Sequence, residues 1–140
     1  MKSNGRPRPC VRGIGVDLVE NERMQAALNR WGASFKRKIF LPTEQSYCDS
    51  RARPASHYAA RFAVKEAVSK AFGTGVHAQL HWRDIEVVRD PSSGAPSVRL
   101  SARGRQLADR HGVSGVQVSL AHTRRYAVAT ALLIGSEETS

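Results

Sequence analysis

The feature that most constrains this chain is a helical pattern over residues 61–75 that ends in glycine. Apolar side chains recur there at spacings of three and four residues, which predicts a helix with one buried face. This face consists of Ala60, Val64, Ala67, Val68 and Ala71. Gly73 follows directly and supplies a natural stop. The rest of the chain therefore has to provide a core for this helix.

A separate ridge of the same helix carries polar groups. Phe62, Glu66 and Lys70 are each four residues apart, so they form one row on the helix surface. The row ends beside the Gly-Thr-Gly turn of residues 73–75. A carboxylate there can hold a hard cation, an ammonium group can meet a phosphate, and bare backbone can approach a ligand closely. The alternative is an ordinary Glu–Lys surface pair, worth about 0.3 kcal/mol.

Residues 11–19 alternate in the manner of a β-strand. Ile14, Val16 and Leu18 share one face, and the other face carries Gly13, Gly15 and Asp17. Two glycines beside a carboxylate clear space for a ligand or for another backbone. An edge strand with a solvated aspartate is an equally good interpretation.

The remaining patterns predict a mixture of helices and strands. Asn21 and Ser56 are the predicted N-caps of two helices. Residues 126–134 are apolar on both faces, which is typical of a central strand, and residues 35–40 form a basic patch between phenylalanines. The apolar stripe predicted for the first helix is Met24, Ala27, Leu28 and Trp31. The predicted helices cover residues 21–31, 42–47, 56–72 and 101–110, and the further strands cover residues 84–89, 97–100, 116–121 and 126–134.

Length and charge set outer bounds on the function. The 140 residues suffice for one compact domain, which we place at residues 11–136 after a basic, disordered arm of residues 1–10. The formal net charge of +10 predicts an acidic partner: a nucleic acid, an anionic membrane, a phosphorylated small molecule or an acidic protein. Two cysteines without metal-ligand spacing indicate free thiols and a cytoplasmic location. No apolar run approaches the roughly 20 residues of a membrane span.

The unusual polar positions of the chain are Asp17, Glu66, Lys70 and His122. Asp17 and Glu66 come from different elements, and neither has a histidine or cysteine near it in the motif, which suits an oxygen-preferring ion. Mg²⁺ is the default ion when phosphates complete its coordination shell. His122 lies in a basic turn between two strands, but a lone histidine is more often structural than catalytic.

Three motifs occur in a recognisable order: GIGVDLVE at residues 13–20, RFAVKEAVSKAFGTG at residues 61–75, and VSLAHT at residues 118–123 followed by YAVA. Together they resemble the holo-acyl-carrier-protein synthases, the small trimeric class of 4′-phosphopantetheinyl transferases. The similarity extends over roughly residues 11–134. It implies the α+β fold of that family, a single domain in which an antiparallel sheet is packed with helices.

The resemblance also implies a reaction. These enzymes transfer the 4′-phosphopantetheine arm of coenzyme A to a serine of apo acyl carrier protein and release adenosine 3′,5′-bisphosphate. Asp17 and Glu66 match the family's magnesium ligands, and Lys70 matches the residue that meets the phosphate under attack. We add the hypothesis that Glu66 accepts the serine proton, directly or through a water. The residues matching the coenzyme A site are Arg61, Lys70, Gly73, Thr74, Gly75, His122 and Thr123.

The resemblance finally implies two kinds of protein contact. The carrier proteins of this family are acidic, and Arg23 and, less closely, Lys38 match positions that contact them. Members of the family are homotrimers with active sites between subunits. Strand 126–134 and the glycine face of the first strand, which we expect to be exposed, are compatible with such an assembly.

Two other functions remain open from the residues alone. A small basic nucleic-acid-binding protein would explain the charge and the patch at residues 35–40, although no known nucleic-acid motif is present. An inactive homologue that binds coenzyme A or a carrier is the second, and the intact Asp17, Glu66 and Lys70 argue against it. We therefore expect neither a nucleic acid nor a membrane as partner.

Overall fold

The computed structural model describes residues 8–73 and 76–137. Most of the predicted N-terminal arm, and Thr74 and Gly75 of the predicted coenzyme site, lie outside these residues. The helices are α1 (Asn21–Ile39), α2 (Pro42–Asp49), α3 (Pro54–Phe72) and α4 (Ala102–Arg110). The strands are β1 (Pro9–Glu20), β2 (Ile85–Arg89), β3 (Pro96–Leu100), β4 (Val113–His122) and β5 (Tyr126–Ser136). Two short 3₁₀ turns, Val76–Ala78 and Trp82–Asp84, follow α3.

Two antiparallel sheets are present among these elements. The larger has the strand order β1-β5-β4, and β2 and β3 form a separate hairpin. The doubly apolar strand β5 is central, as predicted, and β1 lies at an edge. The fold is thus a mixed α+β domain, as the pattern and the resemblance predicted.

Helix α3 packs directly on β1, and the two glycines make this possible. A Cβ atom at Gly13 would overlap the carbonyl oxygen of Ala71, and one at Gly15 would overlap that of Ala67. The cleared space therefore accommodates a second backbone, one of the two alternatives that the sequence allowed. The predicted inward face of α3 is buried throughout.

The glycine face of β1 is covered, so our expectation that it is available for assembly was wrong. The exposed face is the opposite one, where Ile14, Val16 and Leu18 are 56–71% exposed. Their partners on β5 are Leu132, Thr130 and Val128, so the apolar surface extends onto β5 on either side of the polar Thr130. We call this surface the open sheet face.

The helix ends differ from the prediction in physically clear ways. Asn21 does not cap α1; its side-chain amide donates to the carbonyl oxygens of Thr123 and Arg124 in the β4–β5 turn. Ser56 does not cap α3, because Pro54 opens that helix and the Ser56 hydroxyl donates back to the Arg53 carbonyl.

Helix α1 also departs from the predicted length and face. It does not stop at Gly32 but kinks there, at φ 54°, and continues to Ile39, so that residues 35–39 of the basic patch are helical. Trp31 is 53% exposed rather than part of a buried stripe.

An ion pair in the core connects helices α2 and α3. Glu44 and Lys65 have completely buried side chains and lie 2.9 Å apart. Glu44 also accepts from the backbone N–H groups of Leu41 and Val87, and the Lys65 ammonium donates to the carbonyl oxygen of Trp82. Burial lowers the pKa of Lys65, while the charge of Glu44 opposes this. The pair fixes α3 against the segment that follows it.

Across the described ranges, no helix is both long enough and apolar enough to cross a bilayer.

Candidate active site

A cleft of about 650 Å³ opens where β1, α1 and α3 meet. Asp17, Glu66 and Lys70 all line it, together with Arg23 from the first turns of α1. We call it the carboxylate cleft. The close packing of the glycines on α3 brings Asp17 beside the polar ridge of that helix, although the two motifs are about fifty residues apart.

Asp17 and Lys70 are in direct contact. The Lys70 ammonium lies 2.8 Å from Asp17 Oδ1 and also donates to the carbonyl oxygen of Val16 at 3.2 Å. The Asp17 side chain is 16% exposed, whereas that of Lys70 is 52% exposed. The aspartate is therefore held in place, and the lysine has room to turn towards a bound anion.

Glu66 is held by a different neighbour. The indole Nε1 of Trp82 donates to Glu66 Oε1 at 2.6 Å, and His77 Nε2 lies 3.6 Å from the other carboxylate oxygen. The side chain of Glu66 is as little exposed as that of Asp17. Glu66 and Lys70 are thus not the ordinary surface pair that the spacing also allowed, because each contacts a different residue.

Asp17 and Glu66 are the residues of this cleft that could hold a divalent cation. Within residues 8–73 and 76–137, no three His, Cys, Asp or Glu side chains cluster as a complete metal site would require. Two carboxylates with an adjacent lysine instead match a Mg²⁺ ion whose remaining ligands are phosphate oxygens and waters. The donor set is all oxygen, as this ion prefers.

A second cleft, of about 1130 Å³, lies at the β4–β5 turn. His122 and Thr123 line it with His57 of α3, and we call it the histidine cleft. Arg51, Arg53 and Arg124 outnumber the one carboxylate of its lining, Glu22, so the walls carry a net positive charge. The cleft thus has the composition of an anion site, but Asp17, Glu66 and Lys70 do not line it. The predicted site residues of one chain are therefore divided between two clefts.

His57 and His122 face each other in the histidine cleft, with ring centroids 6.0 Å apart. Burial lowers the pKa of His57, and the positive charge of Arg61 lowers it further. His57 is thus favoured in its neutral form, which can both donate and accept a hydrogen bond.

Arg61 is buried on α3, one turn after His57. Its guanidinium lies 4.1 Å from the ring centroid of Tyr47, and its Nε has no hydrogen-bond partner among the described residues. Arg61 is not among the residues that line either cleft.

The other predicted site residues lie at the margins. Lys38 lines a small apolar pocket next to the carboxylate cleft, with Trp31 and Phe35. Gly73 ends α3 at φ 113°, a conformation that favours glycine. Arg23 is exposed on α1.

Sequence reasoning did not identify Trp82, His57 or the buried Glu44–Lys65 pair. Trp82 is sixteen residues from Glu66, beyond a turn, so no helical spacing connects them. His57 lies one turn before Arg61 on α3, and this four-residue spacing was the available signal.

Comparison with known proteins agrees with this geometry. The family described as the 4′-phosphopantetheinyl transferase superfamily matches residues 13–131. This match defines the class of protein as a transferase.

Individual relatives narrow the class. A holo-[acyl-carrier-protein] synthase of Syntrophus aciditrophicus (strain SB) is 41% identical over 128 residues, which cover 91% of this chain and 99% of the relative. The enzyme of the same name from Ruminiclostridium cellulolyticum (strain ATCC 35319 / DSM 5812 / JCM 6584 / H10) is 46% identical over 121 residues, covering 86% and 90%. The crystal structure of Helicobacter pylori holo-[acyl-carrier-protein] synthase in complex with coenzyme A superimposes with a TM-score of 0.75 at 28% identity, covering 86% and 98%.

The chain belongs to the holo-[acyl-carrier-protein] synthase family. The family, the fold class and the enzyme class predicted from the three motifs are thereby confirmed.

Proposed function

We propose that this enzyme transfers the 4′-phosphopantetheine group of coenzyme A to a serine hydroxyl of apo acyl carrier protein, using a Mg²⁺ ion held by Asp17 and Glu66. The observation that carries this proposal is the presence of both carboxylates and Lys70 in one cleft of a chain from this family. The other product is adenosine 3′,5′-bisphosphate.

The chemistry requires positioning and charge neutralisation more than covalent help. When bound, Mg²⁺ would neutralise the diphosphate of coenzyme A and stabilise the departing bisphosphate. Lys70 adds a positive charge next to the attacked phosphorus, and its 52% exposed side chain can leave Asp17 to do so.

The serine proton needs an acceptor as the new phosphorus–oxygen bond forms and the bond to the leaving bisphosphate breaks. Glu66 is our choice, directly or through a water on the cation, because no lysine or arginine is paired with its carboxylate within the described residues. Asp17, in contrast, is already paired with an ammonium group.

The histidine cleft is the proposed site for the adenosine part of coenzyme A. His122 and Thr123 line it, and Arg51, Arg53 and Arg124 supply the charge that a phosphate requires. Arg61, stacked on Tyr47 one helical turn after His57, adds positive charge near the cleft. Gly73, Thr74 and Gly75 complete the predicted coenzyme site.

Acyl carrier protein is the proposed acidic partner. Arg23 is exposed at the edge of the carboxylate cleft, where a docked carrier would bring its serine to the diphosphate. Lys38 is exposed on the same helix. The net charge of +10 favours rapid encounter with an acidic protein.

We propose that the active enzyme is a homotrimer in which each site is completed by a neighbouring subunit. Two features support this. The site residues of a single chain divide between two clefts, and the open sheet face exposes apolar side chains on β1 and β5. With two free cysteines in the described residues, a cytoplasmic location is part of the proposal.

A mass measurement tests the reaction. Apo acyl carrier protein is incubated with this enzyme and coenzyme A, with Mg²⁺ or with excess chelator. The carrier should gain the mass of one phosphopantetheine arm in the sample with Mg²⁺ and stay unmodified in the sample with chelator. An unmodified carrier in both samples, or equal modification in both, would contradict the proposal.

A further inference from the structure

The hydrogen bond between Trp82 and Glu66 connects the carboxylate cleft to the protein core. The indole Nε1 lies 2.6 Å from Glu66 Oε1, and the bond is partly shielded from solvent. A hydrogen bond from a neutral donor to a carboxylate is roughly twice as strong as one between neutral groups. It therefore has the strength to fix which way the carboxylate faces.

Trp82 is itself held firmly in place. Its carbonyl oxygen accepts a hydrogen bond of 2.9 Å from the Lys65 ammonium, whose charge is balanced by the buried Glu44. Its ring lies against Phe62, with centroids 6.1 Å apart. A rigid chain of contacts thus runs from the core ion pair to Glu66.

The bond leaves the two oxygens of Glu66 in different situations. Oε1 accepts the hydrogen bond of the indole N–H. Oε2 accepts no hydrogen bond within the described residues, and His77 Nε2 lies 3.6 Å from it. Oε2 is therefore the oxygen available to a cation.

We propose that Trp82 is a positioning residue for the cation site: it fixes the Glu66 carboxylate through Oε1 so that Oε2 is presented to the metal. This inference rests on the proposed role of Glu66 as a metal ligand. Groups that orient metal ligands in this way typically change metal affinity about 10- to 100-fold when removed.

The test measures metal binding directly. Mn²⁺ is titrated into the enzyme with saturating coenzyme A, and bound Mn²⁺ is followed by the relaxation of water protons. Trp82→Phe keeps a ring against Phe62 but lacks the N–H donor. We expect it to bind Mn²⁺ about tenfold more weakly than the unchanged enzyme, and a difference below about threefold would overturn the inference.

Two further variants separate the possible causes. Ile85→Val removes one methylene from a fully buried residue near Trp82, and it should lower the melting temperature without changing Mn²⁺ affinity. An equal loss of affinity in Ile85→Val would attribute the effect to packing and overturn the positioning role.

Glu66→Gln tests the proposed function itself. If Glu66→Gln binds Mn²⁺ normally, Glu66 is not a ligand and both proposals fail, whereas a loss confined to Glu66→Gln overturns the role of Trp82 alone.

A spectroscopic test of the hydrogen bond needs no Trp82 variant, so it applies even if Trp82→Phe does not fold. The chain has two tryptophans, so replacing Trp31 by phenylalanine identifies the indole N–H signal of Trp82 in a nitrogen–proton correlation spectrum. This signal should lie downfield, as expected for donation to a carboxylate, and should move upfield in Glu66→Gln. A signal that is the same in both proteins would show that the hydrogen bond is absent and would overturn the inference.

Discussion

At the scale of single residues, Asp17 and Glu66 differ in what contacts them. Asp17 is paired with the Lys70 ammonium at 2.8 Å, and Glu66 accepts from a neutral indole at 2.6 Å. Unlike Asp17, Glu66 has no lysine or arginine as a partner among the described ion pairs. For this reason we propose that Glu66, and not Asp17, accepts the proton of the carrier's serine hydroxyl.

Glu66→Gln should therefore abolish most of the activity. The change keeps the shape of the side chain but removes the charge for the cation and the acceptor for the proton. We expect kcat/KM to fall at least about 100-fold, measured as carrier modification at several Mg²⁺ concentrations. Magnesium-dependent turnover close to that of the unchanged enzyme would remove both proposed roles of Glu66.

Arg23→Glu should affect the carrier and not the coenzyme. Because exposed charges mainly change the rate of encounter, we expect the KM for acyl carrier protein to rise on the order of tenfold, with little change in the KM for coenzyme A. Arg105→Glu makes the same charge change on an exposed residue of α4 and serves as the control. Equal effects on both KM values, or an equal effect of Arg105→Glu, would contradict a local carrier contact.

At the scale of elements, the site depends on how closely β1 approaches α3. Gly15 is buried, and any side chain there meets the backbone of α3 at Ala67. The same packing brings Asp17 to the carboxylate cleft. The glycines of the first motif are thus explained by helix–strand packing, and the contact with the cation falls, under our proposal, to the neighbouring Asp17.

Gly15→Ala should destabilise the fold and displace Asp17. Overpacking of this kind typically costs about 1–3 kcal/mol, which denaturant unfolding can measure. Gly115→Ala is a matched control, because a Cβ there has no atom within 4 Å among the described neighbours. If both variants unfold at the same denaturant concentration, the close approach of β1 and α3 is not what requires glycine.

Local patterns were sufficient to predict most elements but not the contacts between them. The buried face of α3 and the central position of β5 follow from spacing and composition, which depend on residues near one another in sequence. Glu44 and Lys65 lie 21 residues apart on different helices, and both residue types are normally exposed, so their burial left no local signal. For the same reason the prediction that Asn21 caps α1 was wrong: the β4–β5 turn, about a hundred residues away, provides its partners.

The sequence indicated the residues of the candidate site but not how they are arranged. The motifs identified Asp17, Glu66 and Lys70, and the structure places all three in one cleft. The separation of His122 and Thr123 into a second cleft could not be predicted, because it depends on how the helices and loops pack around one end of the sheet, which local spacing does not determine.

At the scale of the whole molecule, one chain is an incomplete enzyme under our proposal. The carboxylate and histidine clefts would be joined by a neighbouring subunit packed on the open sheet face. Ile14, Val16 and Leu18 are each more than half exposed, which is costly for a face that stays in water.

Mixing two inactive variants tests this arrangement. Asp17→Asn disables the carboxylate cleft, and His122→Glu places a negative charge where a phosphate would bind. If the two clefts of a site come from different subunits, each site needs an intact carboxylate cleft from one subunit and an intact histidine cleft from its neighbour. Half of the subunits carry each intact cleft, so co-expression should restore about a quarter of full activity. Asp17→Asn mixed with Glu66→Gln is the control that should stay inactive, since both changes affect the same cleft. Activity no greater than the sum of the separate variants would place the whole site within one subunit.

The most direct measurement is a crystal structure of the enzyme grown with coenzyme A and Mn²⁺, with data collected for anomalous scattering. We expect one anomalous peak in the carboxylate cleft, with an oxygen of Asp17 and an oxygen of Glu66 at ligand distance and the coenzyme diphosphate on its other side. A peak elsewhere, or coenzyme A bound with the two carboxylates facing solvent, would contradict the proposal that these residues hold the cation.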